Sequence, residues 1–196
     1  MYYVLSVSDD YPDSYWFKYD HDNSPSYLSF QSGEAVDQPK RPPLFTLDKK
    51  ISIARFLGFD FLMSDGGDFI SAKFADLMRN LAAGDVQIIE ASVYVNGEKM
   101  NGFCIGNIAN LVSCVDMEKS IYKPLLKSCP DGPIKFTRFE FIDNSLNDHK
   151  IVRCKEDPQT IVVSEDFMQA CKSAGIRGVE FLRNGVGSYE KDVLLK

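Results

Sequence analysis

Asn96-Gly97 constrains this chain more than any other pair of residues. Both positions tolerate positive φ, so the pair suits the two-residue turn that joins antiparallel strands. Its flanks agree with that reading. Val86, Ile88, Ala91, Val93 and Val95 partly alternate on the way in, and Met100 to Ile105 form the return strand. A second Asn-Gly, Asn101-Gly102, reads as a bulge in that return. Ile108 to Val115 reads as one more strand, completing a meander of three.

Two helices are expected beside it. Ser71 can cap the first, with Phe74, Leu77, Met78 and Leu81 on one face and Gly84 as a left-handed stop. Ser164 caps the second, Glu165 and Asp166 suit its positive start, Phe167, Ala170, Cys171 and Ala174 form its stripe, and Gly175 closes it. Ile134–Ile142, Ile161–Val163 and Val179–Leu182 read as further strands, and Leu44–Met63 as core that is part strand. Strands outnumber helices without a regular β-α-β alternation. The class is therefore α+β, a mainly antiparallel β-sheet with a hairpin meander and two or three packed helices.

A chain of 196 residues predicts a single domain. Gln38-Pro39-Lys40-Arg41-Pro42-Pro43 is an extended connector, since proline removes donors and disfavours helix. It divides an acidic, aromatic segment, residues 1–43, packed on the core, from the α+β core itself, residues 44–196.

The charge is distributed unevenly. Asp9, Asp10, Asp13, Asp20, Asp22, Glu34 and Asp37 face one base, Lys18, so the first 37 residues carry −6, which is the net charge of the whole chain. Six of the nine tyrosines and the only tryptophan, Trp16, lie in the same stretch. Concentrated negative charge steers basic partners, and half-wet aromatic side chains anchor interfaces. The candidate binding residues are Asp9, Asp10, Asp13, Tyr15, Trp16, Tyr19, Asp20 and Asp22. The plainer alternative is an N-terminal strand at Tyr2–Leu5 followed by a solvated acidic loop.

Composition excludes several roles. A pI near 5.0 argues against nucleic acid, which needs a positive face. No apolar run approaches the ~20 residues of a membrane span, and the acidic start has no basic n-region, so a cytoplasmic protein is expected. The five cysteines are odd in number and lack a Cys-x-x-Cys pair, which reads as reduced thiols. With only His21 and His149 available, zinc ligands would have to be gathered from distant loops, and no metal or cofactor is expected.

Catalytic signatures are missing too. There is no Gly-x-Ser-x-Gly elbow and no phosphate loop. Gly185-Val186-Gly187-Ser188 is a bare Gly-x-Gly, read as a turn. Asp20-His21-Asp22-Asn23 cannot point four consecutive side chains at one ion, and Ser64-Asp65-Gly66-Gly67-Asp68 lacks the spacing of a calcium loop.

The stretch Ile161-Val162-Val163-Ser164, a helix, then Ala174-Gly175-Ile176-Arg177-Gly178-Val179-Glu180-Phe181 resembles the C-terminal signature of a bacterial immunity family. That family is the eleventh class named among polymorphic toxin systems. Asp60-Phe61-Leu62, the helix at Ser71, Asn110 to Ser120 and Arg138-Phe139 fit the same resemblance, which spans roughly Phe59 to Leu182. It implies a protein that binds and blocks a cognate toxin domain, read here as non-enzymatic; the acidic, aromatic surface would suit a basic toxin domain, a nuclease among the candidates. Two other roles stay open. One is a carbohydrate-binding or glycoside-cleaving protein built on Trp16, Tyr15 and Tyr19 beside Asp13 and Asp20. The other is an adaptor that carries an effector without inhibiting it. Oligomeric state is open as well.

Overall fold

A computed structural model describes residues 1–129 and 132–183. The Gly-x-Gly at Gly185–Gly187 lies outside the described residues.

In chain order the elements begin with β1 (Tyr2–Val7), β2 (Lys18–Tyr19), β3 (Leu44–Leu47), α1 (Ile53–Phe56), β4 (Phe61–Leu62), β5 (Phe69–Ser71) and α2 (Ala72–Leu81). Next come β6 (Val86–Glu90), β7 (Ser92–Val95), β8 (Glu98–Met100), β9 (Phe103–Ile108) and β10 (Leu111–Val112). The remainder are β11 (Ile121–Pro124), β12 (Ile134–Arg138), β13 (Ile151–Cys154), β14 (Ile161–Ser164), α3 (Glu165–Ser173) and β15 (Val179–Arg183).

The apolar run Ile161-Val162-Val163 does not alternate because its strand is covered on both faces. It lies in a five-stranded sheet ordered β10-β13-β14-β1-β15, antiparallel except between β10 and β13. Tyr3, Leu5, Ile151, Ile161 and Val163 point to one core, shared with Phe74, Met78, Phe167 and Cys171 of the helices. Val4, Val152 and Val162 point to another, with Phe136, Phe139 and Leu146. A sheet buried on both sides reads as a continuous hydrophobic run. The opening residues thus form a central strand, with Val4 opposite both Val162 and Leu182.

The Asn96-Gly97 turn forms as read, with φ of 50° and 81°. The hairpin it closes serves two sheets. Its tip pairs Val93 with Met100 and extends a sheet ordered β2-β3-β7-β8. Its base pairs Glu90 with Cys104, in a sheet ordered β4-β5-β9-β6. Between those pairs, Ala91 and Ser92 on the outgoing strand face Asn101, Gly102 and Phe103 on the return, and the extra residue falls at Asn101-Gly102, where Gly102 has φ +83°. The bulge lets one hairpin pass from sheet to sheet. Between the two sheets lies an aromatic core of Tyr15, Phe17, Phe45, Phe56, Phe59, Phe69 and Phe103.

The third strand of the expected meander is a correction. Ile108 ends β9, and Leu111–Val112 leaves to pair in parallel with β13 in the five-stranded sheet. Gly84 is a second correction. The helix ends at Leu81 with Ala82 as its C-cap, and Gly84 has no positive φ. Ser71 and Ser164 do cap their helices, accepting the N–H of Phe74 and Phe167, and Gly175 takes φ +61°. The two capped phenylalanines meet, their ring centroids 6.3 Å apart, so α2 and α3 pack through the same position of a shared layout.

A candidate interaction surface

The opening segment divides by side-chain direction. Tyr15 and Tyr19 are 4% and 5% exposed and belong to the aromatic core. The Tyr19 ring lies over Gly66, where an added Cβ would come within 2.3 Å of it, and its hydroxyl donates to the Pro25 carbonyl at 2.6 Å. Expecting these two as surface anchors is therefore a correction. Aromatic residues alternating with polar ones were strand and turn residues pointing inward, not a wet patch. Trp16 between them is 49% exposed, and it alone of the three has its ring at the surface.

The acids separate into three places. Asp9 and Asp10 follow β1, where the Ser8 N–H donates to the Gly178 carbonyl. There Asp10 accepts from the Ser8 hydroxyl at 2.5 Å and faces Arg177 at 3.7 Å. Asp13 is exposed in a short 3-10 turn, Asp13–Tyr15. Asp20 and Asp22 lie beyond β2, in a loop tied to β3: the Asp20 N–H donates to the Leu44 carbonyl and the Leu44 N–H to the Ser24 hydroxyl, both at 3.0 Å.

The Asp20 carboxylate closes this loop on itself. It accepts from the Asn23 side-chain amide at 3.1 and 3.2 Å and from the N–H groups of Asn23 and Asp22. Those bonds, the Asn23 amide foremost, hold its carboxyl below the usual range. With its oxygens so engaged, Asp20 organises a turn, and Asp22 presents its charge outward. His21 sits 3.5 Å from Asp65.

Beside the loop lies the outer face of the β2-β3-β7-β8 sheet. Phe45, Leu47, Val93 and Val95 point into the core. The alternate residues Leu44, Thr46, Ser92 and Tyr94 point outward and are only half-buried. Together with Asp20, Asn23, Arg41, Pro42 and Asp48 they line an open groove of about 710 Å³. A smaller hollow continues it between Asp22–Pro25 and Pro39–Arg41. The proline-rich connector is thus one wall of a concavity and the acidic loop another.

A second exposed feature escaped the sequence reading. The two-stranded ribbon of β11 and β12 carries Ile121, Tyr122, Leu125 and Leu126 at 44–58% exposure, with Lys123 and Lys127 interleaved. Contiguous exposed apolar side chains mark interaction sites. The available signal was Pro124 flanked by lysine, the pattern of an edge strand.

Several of the residues behind the sequence resemblance gather elsewhere, at a structural node. Asp60 accepts from the Ser71 hydroxyl at 2.6 Å, the Arg177 N–H at 2.9 Å and Lys73 Nζ at 3.4 Å, and its own N–H donates to the Arg177 carbonyl at 2.8 Å. Gly178 follows with φ +87°, and a Cβ there would stand 2.6 Å from the Phe61 carbonyl oxygen. Asp60-Phe61-Leu62, Ser71 and Arg177-Gly178 are one contact. They hold β4, α2 and the α3–β15 corner together and lie away from the groove.

No helix of the described residues is long and apolar enough to cross a membrane. A scan against protein-family models matches residues 9–185 to the immunity protein family Imm11. No curated protein matches the chain.

Proposed function

The chain belongs to the Imm11 immunity protein family, and from that premise we propose that it neutralises a cognate toxin domain by direct contact, without catalysis, through the groove beside Asp20–Pro25. The observation that carries this reading is the uncovered outer sheet face, a ready-made concavity bordered by Asp22, Asp48 and the Asp20-organised loop. Asp20, Asp22 and Asp48 outweigh Lys40 and Arg41 of the connector wall, so a basic toxin domain is the complementary partner, and a nuclease, whose active site handles phosphate, is the first class to try. Trp16, half exposed on the same segment, is the aromatic anchor.

Co-expression with the product of the neighbouring toxin gene tests the function, scored by survival and by co-elution on a sizing column. Survival with a stable complex is expected. A complex without survival would make the chain an adaptor, and the absence of both survival and complex would end the immunity reading. The site is tested separately. Asp22→Lys with Asp48→Lys should weaken the complex, whereas Leu125→Asp with Leu126→Asp should not. The reverse pattern would move the docking face to the β11–β12 ribbon.

A further inference from the structure

Cys114 and Cys154 are far apart in the sequence and adjacent in the fold. β10 runs parallel to β13 with Val112 opposite Cys154, and this brings Cys114, just past the end of β10, against it. Both cysteines are fully buried in the third core. Two residues on from Cys154 stands Glu156, half-buried. The two Sγ atoms and a Glu156 carboxylate oxygen all lie within 4.8 Å of one another.

The carboxylate is firmly oriented. Its Oε1 accepts the Ser113 hydroxyl, and its Oε2 accepts the Cys114 N–H at 3.3 Å and the Cys154 thiol at 3.1 Å. The Cys114 carbonyl in turn accepts the Ile142 N–H at 2.9 Å, and the Lys155 N–H donates to the Val112 carbonyl at 2.9 Å. Cys154 is thus set by strand pairing, Cys114 by its backbone bond to Ile142, and Glu156, in the bend after β13, by the hydrogen bonds its carboxylate accepts.

We infer that Cys114, Cys154 and Glu156 form a binding site for one zinc ion. Two thiolates and one carboxylate suit a borderline-soft d¹⁰ cation, whereas magnesium and calcium require oxygen ligands throughout. A tetrahedral zinc, with bonds of ~2.3 Å to sulfur and ~2.1 Å to oxygen, sets its donors roughly 3.3–3.8 Å apart. The 3.1 Å contact and the 4.8 Å limit bracket that spacing, so small side-chain rotations close the site. A water completes the tetrahedron, and the ion enters beside Ser113, the exposed neighbour of the buried Cys114. The Ser113 hydroxyl and the Cys114 N–H are the outer groups that aim the carboxylate. On binding, the two thiols release two protons to solvent and two S–Zn bonds form, with no change of oxidation state. The ion would pin the two-residue strand β10 to β13 and stabilise the folded chain in proportion to its occupancy.

The test uses the full chain, reduced and stripped with a chelator, titrated with cobalt and then with zinc. One cobalt per chain is expected, with a thiolate-to-cobalt charge-transfer band in the near ultraviolet that zinc abolishes. Cys114→Ser should remove the band, and Ser113→Ala should weaken binding by roughly 10- to 100-fold. Cys129→Ser, at an exposed cysteine outside the site, should change nothing. Because Cys114→Ser alters a packed core, Glu156→Gln gives a second readout at a half-buried position, and circular dichroism checks that each variant is folded. A folded, reduced wild type without the band would overturn the inference. So would a band that survives Cys114→Ser and Glu156→Gln, or one that disappears with Cys129→Ser.

Discussion

Ser71 donates its hydroxyl to Asp60 at 2.6 Å while the same oxygen accepts the N–H of Phe74 at 3.2 Å. One side chain thus caps α2 and satisfies a carboxylate that is only 7% exposed. Ser71→Ala should remove a cap worth about 1 kcal/mol and leave a buried acceptor short of one donor, a further 1–3 kcal/mol or so. Urea unfolding would measure the loss. With Asp60→Asn the two changes should be non-additive, because they remove one interaction. Strict additivity would mean that the contact carries no energy.

Gly178 admits no side chain. Its φ of +87° and the 2.6 Å approach of the Phe61 carbonyl oxygen to an added Cβ are independent penalties. Gly178→Ala should cost at least ~2 kcal/mol. Gly84, with no neighbour within 4 Å of an added Cβ and no positive φ, is the control. Gly84→Ala should be neutral or stabilising by a few tenths, up to about 1 kcal/mol. Thermal melts of the two variants that moved together would contradict this account.

Trp16 and Tyr15 are neighbours with opposite expectations. Trp16→Ala should leave stability within about 0.5 kcal/mol of wild type, as surface substitutions do, and reduce toxin affinity by about 2 kcal/mol or more if the ring is the anchor proposed. Tyr15→Ala should lower stability by about 3 kcal/mol, since it opens a hole between Phe56 and Phe59. Calorimetric titration alongside denaturant melts separates the two effects.

Asp68 makes stability pH-dependent. Half-buried, it lines a cavity of about 60 Å³ with Arg153, Phe61 and Ile161, and the loss of water around it pushes its carboxyl up to about 6, Arg153 offsetting part of the rise. An unfolded aspartate titrates near ~3.9. Between those values the folded chain keeps a proton that the unfolded chain has released. This residue's favourable contribution is therefore complete below about pH 4 and is lost as pH rises through 6. Asp68→Asn should raise stability at pH 7.5 by on the order of 1–2 kcal/mol and leave it nearly unchanged at pH 4. An equal gap at both values would rule out burial as the cause.

Much of the fold was legible because it rests on local chemistry. Asn96-Gly97, Ser71, Ser164 and Gly175 act within a few residues of themselves, and all four do in space what their types imply. Pairing across long separations was not legible. Nothing near Leu111 says that it joins a parallel partner at Arg153. Asp85 looks like the first residue of a strand, yet its carboxylate binds Asn110 at 2.8 Å, His149 at 2.6 Å and the Lys150 N–H at 2.7 Å. The candidate surface was legible only as charge. Charge says which residues repel burial, and Asp22 is exposed as its charge implies, but aromatic content says nothing of direction, and Tyr15 and Tyr19 point inward. The groove itself arises from the proline-rich connector folding beside the acidic loop, a juxtaposition no window of sequence contains.

The strand Tyr2–Val7 is flanked on both edges by strands drawn from residues 161–183. During synthesis it waits, unpaired on either side, until almost all of the described chain has left the ribosome. Assembly by such distant closure is slow, and an apolar strand held open meanwhile is a template for aggregation. A released chain truncated before Ile161 should accordingly remain sensitive to protease across Tyr2–Val7, and the released full chain should not. The timing of protection is thereby written into strand order: the fold becomes competent late, and nearly all at once.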